Sequence, residues 1–513
     1  MFKKVYVEKN RYVDSVTLMN VREKAMKQPG IQIAEVQMGT PANLEIMQDL
    51  GFEIPESVGC SDILTGLLAD SAEAAASALD YINDLLNGGG KDAGRETRYS
   101  DLDEIDLADT GYNLVQISLP GEYAAAEAEK AIRKGLDVFI FSDNVPLDAE
   151  LRLKELGREK GVLVMGPDCG VGLIDGVALA AGSIVRKGSI GIVGASGSGA
   201  QEVACIIEKC GFGVSQIIGT GGHDLFPEIG GITMIEGIKR LEQDAHTKVI
   251  ALVSKLADKA VMEKVLCFAD SVSKPVAAVF LGGGEDLFNG HTVRGAYSLE
   301  EAAESAVELL CGEKRRYGYS DEQLLEIATR EFAMLSSEQK YVRGLFCGGT
   351  FTEEALIHIR QNAKGRTLYS NLKNRYSVPL EDPEVSVGDS ILDLGAEDFT
   401  KKHPHPVFDS SLRAKRLKKE LEDPQVAVVM LDFITGPGVD EDPITNLAEI
   451  CRKANSGSRH IVFISAICGS AEDPQNVAKK NELLRSCGVI VTGSNFQSAK
   501  LACKIMNMIS ERA

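Results

Sequence analysis

The sequence predicts an α/β protein built from three or four doubly wound units. Short apolar runs typical of buried parallel strands alternate with amphipathic helical patterns from Asn113 almost to the C-terminus. Several of these runs end directly in glycine-rich turns, as expected where a parallel strand passes into a helix. The length of 513 residues agrees with this number of units, because a domain holds roughly 150 residues.

The composition indicates a globular protein and excludes some classes of partner. Hydrophobic residues make up 44% and charged residues 25% of the chain. The net charge of −20 argues against nucleic acid, because binding to phosphates needs clustered Lys and Arg. The basic run Arg413–Lys419 is interpreted as a solvated helix face.

Cysteine use and hydropathy predict a cytoplasmic protein that does not associate with membranes. The 11 cysteines form no CxxC pair, and neither a signal peptide nor a long apolar span is evident. No metal site is predicted, since His403 and His405 have no third ligand nearby in the sequence.

The first unit is predicted over residues 1–90. Two strand-like runs, Lys4–Val7 and Ile31–Gln37, are accompanied by helical patterns. The glycine-rich, charged stretch Asn87–Thr97 predicts a linker at the end of this unit.

The second unit is predicted over residues 98–186. Its pattern contains the helix Glu122–Lys134 and three strands, Asn113–Ser118, Val138–Phe141 and Val162–Met165. Two loops that follow strands hold candidate ligand-binding residues: Ser142, Asp143, Asn144, Pro167, Asp168 and Cys169.

The third unit, residues 187–312, carries the most informative pattern. A buried strand, Ile190–Val193, is followed by Ser196, Gly197, Ser198 and Gly199 at the start of a helix, where free N–H groups and the helix dipole favour an anion. The next strand, Val214–Ile218, ends near Gly221, Gly222 and His223. We predict that both turns bind phosphate, with a tight turn that has no ligand as the alternative for the first.

The last unit is predicted over residues 340–513, after a polar separating stretch, Gly312–Lys340. Its strands are predicted at Val342–Phe346, Ser390–Leu394, Val426–Leu431, His460–Ile464 and Val489–Val491. Turns that follow strands contain Gly348, Gly349, Thr350, Gly395 and Gly436 as further candidates for facing an anion.

These motifs resemble those of succinyl-CoA synthetase, and nearly the whole chain resembles the FdrA-type proteins identified as acyl-CoA synthetases. The second resemblance includes Asp14-Ser15-Val16, Met38–Asn43, Gly344–Thr350, Ile391–Gly395 and His403–Pro406. It implies a Rossmann-like CoA-binding domain followed by two flavodoxin-like ligase domains, the second similar to the synthetase β subunit. It also implies ligand contacts at Gly39 and Thr40. The glycine after Cys169 and the Gly436-Pro437-Gly438 sequence depart from the family pattern.

Two parts of the synthetase machinery are not evident in the sequence. No stretch outside the predicted units is long enough for the ATP-grasp domain that phosphorylates the catalytic histidine. His291 lies near the expected position of that histidine, but we interpret it as an exposed loop residue, because the segment after it is short.

Three hypotheses follow. The first is a subunit of an acyl transferase that uses a ready-made acyl phosphate, with carbamoyl transfer of the oxamate carbamoyltransferase type in ureide and purine nitrogen catabolism as its specific form. The second is an ADP-forming acyl-CoA synthetase that takes its nucleotide domain from another chain. The third is a non-catalytic scaffold that binds CoA or a metabolite.

Candidate catalytic groups are His403, His405 and His223. The His-Pro-His-Pro run suits a stiff loop that faces substrate, with a rigid surface turn as the alternative. Cys169 and Cys347 are interpreted as small residues in tight loops rather than nucleophiles. We expect no tightly bound cofactor, CoA and phosphate or acyl phosphate as ligands, a carboxylic acid or amide as the other substrate, and further subunits as well as a homo-oligomer.

Overall fold

The computed structural model describes residues 1–13, 15–55, 57–87, 99, 101–363, 365–401 and 403–512. They form two compact units, Met1–Gly111 with Lys401–Pro404, and Tyr112–Thr400 with His405–Ala513. Asp14, which belongs to an N-terminal motif, and all but Asn87 of the predicted linker lie outside the described residues. No helix in the described part of the chain combines the length and apolarity needed to cross a membrane.

The first unit is a small α/β sandwich with an antiparallel sheet in the order β1-β3-β2. Buried residues such as Leu18, Leu67 and Ile82 form its core. Its elements are β1 (Phe2–Glu8), α1 (Ser15–Met26), β2 (Ile31–Met38), α2 (Pro41–Asp49), β3 (Ile63–Ala69), α3 (Ala72–Leu86) and α4 (Leu107–Thr110). The central strand β3 was not predicted, because its short run of Ile, Leu, Thr, Gly and Ala has no periodicity that separates a buried strand from a buried helix.

The second unit begins with a small parallel sheet in the order β4-β5-β6. It is Rossmann-like in its alternation of strands and helices, and its strands match the three that the sequence predicted. The elements are β4 (Leu114–Ile117), α5 (Gly121–Arg133), β5 (Asp137–Ile140), α6 (Leu147–Lys160) and β6 (Val164–Met165).

A seven-stranded sheet follows, in the order β13-β12-β11-β9-β10-β7-β8. Its five parallel strands have the flavodoxin-like order, and an antiparallel hairpin, β7–β8, extends the sheet beside β10. The elements are β7 (Val171–Ile174), β8 (Val177–Ala180), β9 (Lys187–Gly194), α7 (Gly197–Lys209), β10 (Val214–Gly219), α8 (Ile232–Gln243), β11 (Val249–Lys255), α9 (Lys259–Ala269), β12 (Val276–Leu281), β13 (Arg294–Ala296) and α10 (Leu299–Cys311).

The third sheet is entirely parallel, in the order β16-β15-β17-β14-β18-β19-β20. The stretch predicted as a polar separator contains a helix, α11, whose Leu324 and Ala328 are buried. The elements are α11 (Asp321–Phe332), β14 (Tyr341–Phe346), α12 (Gly349–Asn362), β15 (Leu368–Ser370), β16 (Val378–Pro379), β17 (Asp389–Asp393), α13 (Glu397–Thr400), α14 (Ser411–Glu420), β18 (Val426–Ile434), α15 (Thr445–Ala454), β19 (Val462–Cys468), α16 (Val477–Ser486), β20 (Val489–Val491) and α17 (Asn495–Arg512).

The two seven-stranded sheets share one hydrophobic core. Buried residues of α7, α10, α12 and α17 belong to the same cluster as residues of β9 and β14. Buried polar contacts also join the two sheet regions: the Gln201 side chain donates to the Thr435 carbonyl at 2.9 Å, and the Asn495 backbone N–H donates to the Glu202 carboxylate at 3.0 Å. This packing fixes the turns at the carboxyl ends of β9 and β14 relative to each other.

Candidate functional site

The N-termini of α7 and α12 meet at a pair of buried hydroxyl groups. Each helix follows a central strand of its sheet, β9 or β14, through a glycine turn. The Ser196 Oγ and the Thr350 Oγ1 lie 2.6 Å apart, and the two residues are only 7% and 4% exposed. The structure thus brings together two predicted anion-facing turns that are separated by about 150 residues of sequence.

Both helices begin here with N–H groups that have no hydrogen-bond partner in the described part of the chain. Ser196 is the N-cap of α7 and accepts only the Gly199 N–H, at 3.1 Å, so the N–H groups of Gly197 and Ser198 have no partner among the described residues. The N-cap of α12 is Gly348, which has no side chain to cap the helix. Unpaired N–H groups from two helix N-termini favour an anion, because the two dipoles add to the hydrogen bonds.

Lys255 and Asp393 lie beside the first residue of α12. A Cβ on Gly349 would lie 2.8 Å from the Asp393 Oδ2 and 3.7 Å from the Lys255 Nζ. Lys255 also pairs with Glu353 at 3.1 Å. Burial raises the pKa of Asp393 to about 6, against the lowering effects of the Gly395 N–H and the Lys255 charge. The α12 turn therefore has beside it one half-buried cation and one buried carboxyl group with a raised pKa.

His405 packs against the turn after β17. Its ring lies where a Cβ on Gly395 would be. Burial lowers its pKa to about 4, and the positive charge of Arg413 acts in the same direction. The Val407 N–H donates to Nδ1 at 3.2 Å, so the neutral ring carries its proton on Nε2. His403 is exposed and belongs to the first compact unit, whereas His405 belongs to the second. Their catalytic roles stay predictions.

A buried ion pair anchors the N-terminus of α12. The Asp432 carboxylate accepts the N–H groups of Cys347 and Gly348, each at 2.9 Å, and Arg413 pairs with it at 3.1 Å. Burial, with the neighbouring Asp432 charge, raises the pKa of Cys347 well above its ordinary value. The expectation of a solvated basic face is therefore wrong for Arg413 and Arg416, which are 1% and 3% exposed, because Arg413 pairs with Asp432 of β18 and Arg416 with Glu420 at the end of α14.

A second group of loops lies at the carboxyl edge of the small sheet. The Asp168 N–H donates to the Ser142 carbonyl at 2.9 Å, and the Ser142 hydroxyl is buried with no hydrogen-bond partner in the described structure. Asn144 and Asp168 both adopt positive φ angles, 54° and 55°. The turn at Gly221 packs on the Pro167 carbonyl, so any side chain at Gly221 would collide with it. Ser142, Asn144, Pro167 and Asp168 are thus close together, whereas Gly39 and Thr40, for which ligand contacts were also predicted, belong to the first compact unit.

Carboxyl groups surround this second group. Burial raises the pKa of Asp168 to about 6, and the charges of Asp143 and Glu150 add to the effect. The His223 Nδ1 lies 3.3 Å from the Glu150 carboxylate, and its ring contacts the Phe226 ring in a tilted arrangement. A phosphate at Gly222 would face Asp168, whose Oδ2 is 3.5 Å from the position of a Cβ there. A carboxyl group thus lies beside this turn as one lies beside the α12 turn, and the α7 and α12 turns are the more favourable pair for phosphate because they add two helix N-termini and the Lys255 cation.

Other candidate residues have structural partners. Burial raises the pKa of Cys169 to about 12, so the thiol is not ionised at neutral pH. The Gly436 N–H donates to Gln475 at 3.1 Å. Thr40, in the first unit, is the N-cap of α2, and Gly39 packs against Gly59. Any ligand contact of these residues stays a prediction.

His291 is not the exposed residue that the sequence predicted. Its side chain is 7% exposed and pairs with Asp270 at 2.6 Å, and this hydrogen bond raises its pKa. The loop folds back on α9, so the shortness of the segment does not leave the ring in solvent.

Lys255 was not among the residues predicted for the site, and Asp393 was predicted only as a partner for the histidines. Both lie at strand ends, where acids and bases are common, and they come close together only because β11 and β17 end beside the N-terminus of α12. This proximity depends on tertiary packing, so the sequence motifs do not indicate it.

Three protein-family models match the chain. A CoA-ligase model covers residues 345–505, a CoA binding domain covers 185–272, and a model described as "AllF, heavy metal-associated domain" covers 1–100. The CoA-binding match overlaps the third predicted unit, and the assignment of CoA binding to residues 98–186 stays a prediction, as do the predicted domain boundaries.

Among curated proteins, the chain is 37% identical to the uncharacterized protein YahF of Escherichia coli (strain K12), over 98% of each chain. It is 28% identical to the α 1 subunit of ADP-forming succinate–CoA ligase from Archaeoglobus fulgidus, over 40% of this chain and 72% of that one. Among solved structures, PH0766 of Pyrococcus horikoshii OT3 aligns over 82% of this chain and 88% of its own, with 16% identity and a TM-score of 0.34.

The sheets, the CoA-ligase model and the CoA binding model indicate an α/β protein of the succinyl-CoA synthetase-like acyl-CoA ligase superfamily. Within it, the chain belongs to the family of YahF, the FdrA-type group that its motifs resemble.

The first unit does not fit a soft heavy-metal ion, despite the name of its family model. Residues 1–111 contain one cysteine, Cys60, and no histidine, and the segment 401–404 adds one histidine, His403, whereas such ions prefer several thiolate and imidazole ligands. Across the described residues, no group of three His, Cys, Asp or Glu side chains is arranged to hold a metal.

Proposed function

We propose that the N-termini of α7 and α12 bind the phosphoryl group of an acyl phosphate, and that the protein transfers the acyl group between phosphate and an acceptor. The observation that carries this proposal is the hydrogen bond between Ser196 and Thr350, which holds two incompletely capped helix N-termini together. Carbamoyl phosphate is the substrate we propose, with a carboxylic acid or amide as acceptor.

Positioning and electrostatic stabilisation suffice for this reaction. As the bond between the acyl carbon and the phosphate oxygen breaks, negative charge grows on the phosphate. In this proposal the N–H groups of Gly197 and Ser198, the α12 N-terminus and the Lys255 cation beside Gly349 stabilise that charge. No covalent intermediate on the protein is required.

A second candidate function is favoured by the matched family models. An ADP-forming acyl-CoA synthetase would use the same helix N-termini for the phosphorylated intermediate and would need CoA nearby. The CoA-binding model and the buried, unpartnered Ser142 hydroxyl support CoA as a ligand. In that case, a separate subunit would supply ATP.

Calorimetric titration with carbamoyl phosphate, CoA and ATP tests the two functions. Ser198→Asp places a fixed negative charge in the first turn of α7 and should abolish binding of carbamoyl phosphate. Ser320→Asp makes the same change at the exposed N-cap of α11 and should leave binding intact. Tight CoA binding without any response to carbamoyl phosphate would favour the synthetase.

A further inference from the structure

A carboxyl group lies beside the two turns that precede α7 and α12, and phosphate binding alone does not explain why it is there. Asp393 ends β17, is 6% exposed, and its Oδ2 points at the first residue of α12. Its Oδ1 accepts the Gly395 N–H at 2.9 Å, and Oδ2 has no hydrogen-bond donor among the described residues. An ionised carboxylate here would repel the phosphoryl group that the helix N-termini attract.

We propose that Asp393 is the proton-transfer group of the site, acting as the acid when the phosphate leaves. This proposal rests on the proposed acyl transfer. The protonated carboxyl group donates its proton to the phosphate oxygen while the bond between that oxygen and the acyl carbon breaks. It regains a proton from the acceptor N–H or O–H while the bond between the acyl carbon and the acceptor forms. The net result moves one proton from the acceptor to phosphate.

The surroundings of Asp393 suit this role. The groups that face it are Lys255 at the end of β11, Asp432 on β18, Cys347 before α12 and His405 beyond Gly395. His405 and Cys347 keep their protonation states between pH 5 and 7.5, because their pKa values lie about 4 and well above 9. The pKa of Asp393, about 6, lies inside that range, and a bound dianion would raise it further.

Sulfate binding measured by calorimetry from pH 5 to 7.5 tests this inference without any turnover. Sulfate stays a dianion over this range, so a pH effect must come from the protein. We expect wild-type affinity to fall at least about tenfold as pH rises, the equivalent of one pKa unit. Asp393→Asn should keep its affinity at pH 7.5. Asp398→Asn, an exposed acid on α13, should behave like wild type.

Turnover provides a second readout. The rate of acyl transfer from carbamoyl phosphate should be lower in Asp393→Asn than in the wild type. The wild-type rate should also decrease at high pH, whereas the rate of the variant should not. Sulfate binding that is equally tight at both pH limits in the wild type would overturn the role of Asp393 and leave the proposed function standing. No sulfate binding at any pH would overturn both. The wild-type series decides even where a variant folds poorly.

Discussion

Ser196→Ala removes two hydrogen bonds from the place where α7 and α12 meet. The hydroxyl accepts the Gly199 N–H at 3.1 Å and lies 2.6 Å from the Thr350 hydroxyl. Loss of an N-cap costs roughly 1 kcal/mol, and a buried hydroxyl left without a partner costs about 1–3 kcal/mol more. We therefore expect the free energy of opening the first turn of α7 to be about 2–4 kcal/mol lower in this variant than in the wild type.

Thr350→Val should have a smaller effect, because Ser196 still accepts the Gly199 N–H. The double variant should be no less stable than Ser196→Ala alone, since it leaves no buried hydroxyl unpaired. The two substitutions should therefore be coupled by about 1–3 kcal/mol, far from additive.

Native-state hydrogen exchange of the peptide 195–201, followed by mass spectrometry, measures this local opening. Ser320→Ala, which removes the N-cap of α11, serves as a control that should loosen α11 only. Additive effects of the two site substitutions would refute the claim that the hydroxyl pair joins the helices.

Two further predictions concern buried charge. Arg413→Met leaves the Asp432 carboxylate buried without its cation, which should lower the free energy of unfolding by about 3–5 kcal/mol. Calorimetry should show a lower unfolding midpoint for this variant, and adding Asp432→Asn should partly restore the midpoint. An unchanged midpoint in Arg413→Met would contradict this prediction. Burial raises the pKa of Glu354 to about 8 from 4.5, so its contribution to stability is complete below pH 4.5 and is lost as pH rises through 8. Glu354→Gln should flatten the fall in unfolding midpoint between pH 6 and 9, whereas an unchanged slope would argue against a protonated carboxyl group.

The doubly wound sheets could be predicted because their strands are buried on both faces. Val276–Leu281, for example, is apolar throughout, and the structure has a strand with these bounds. The same principle fails for β3, and for α11, whose apolar residues are too sparse to stand out in a polar stretch. A continuous apolar run is identified as a strand only where flanking turn residues and β-branched or aromatic residues separate it from a buried helix.

The site could be predicted only in its glycine turns. Ser196 and Gly349 follow strands directly, so their place at the carboxyl edge of a sheet follows from the sequence. The 2.6 Å contact between Ser196 and Thr350, and the approach of Lys255 and Asp393 to Gly349, depend on how two sheets pack. The burial of the Arg413 side chain depends on tertiary packing as well.

The position of a bound anion tests the central claim most directly. Crystals grown with carbamoyl phosphate, or with sulfate in its place, should show the anion between the N–H groups of Ser198 and Gly349, within reach of the Lys255 ammonium. An anion bound instead at Ser142 and Asp168, with the α7 and α12 N-termini occupied by water alone, would contradict the account.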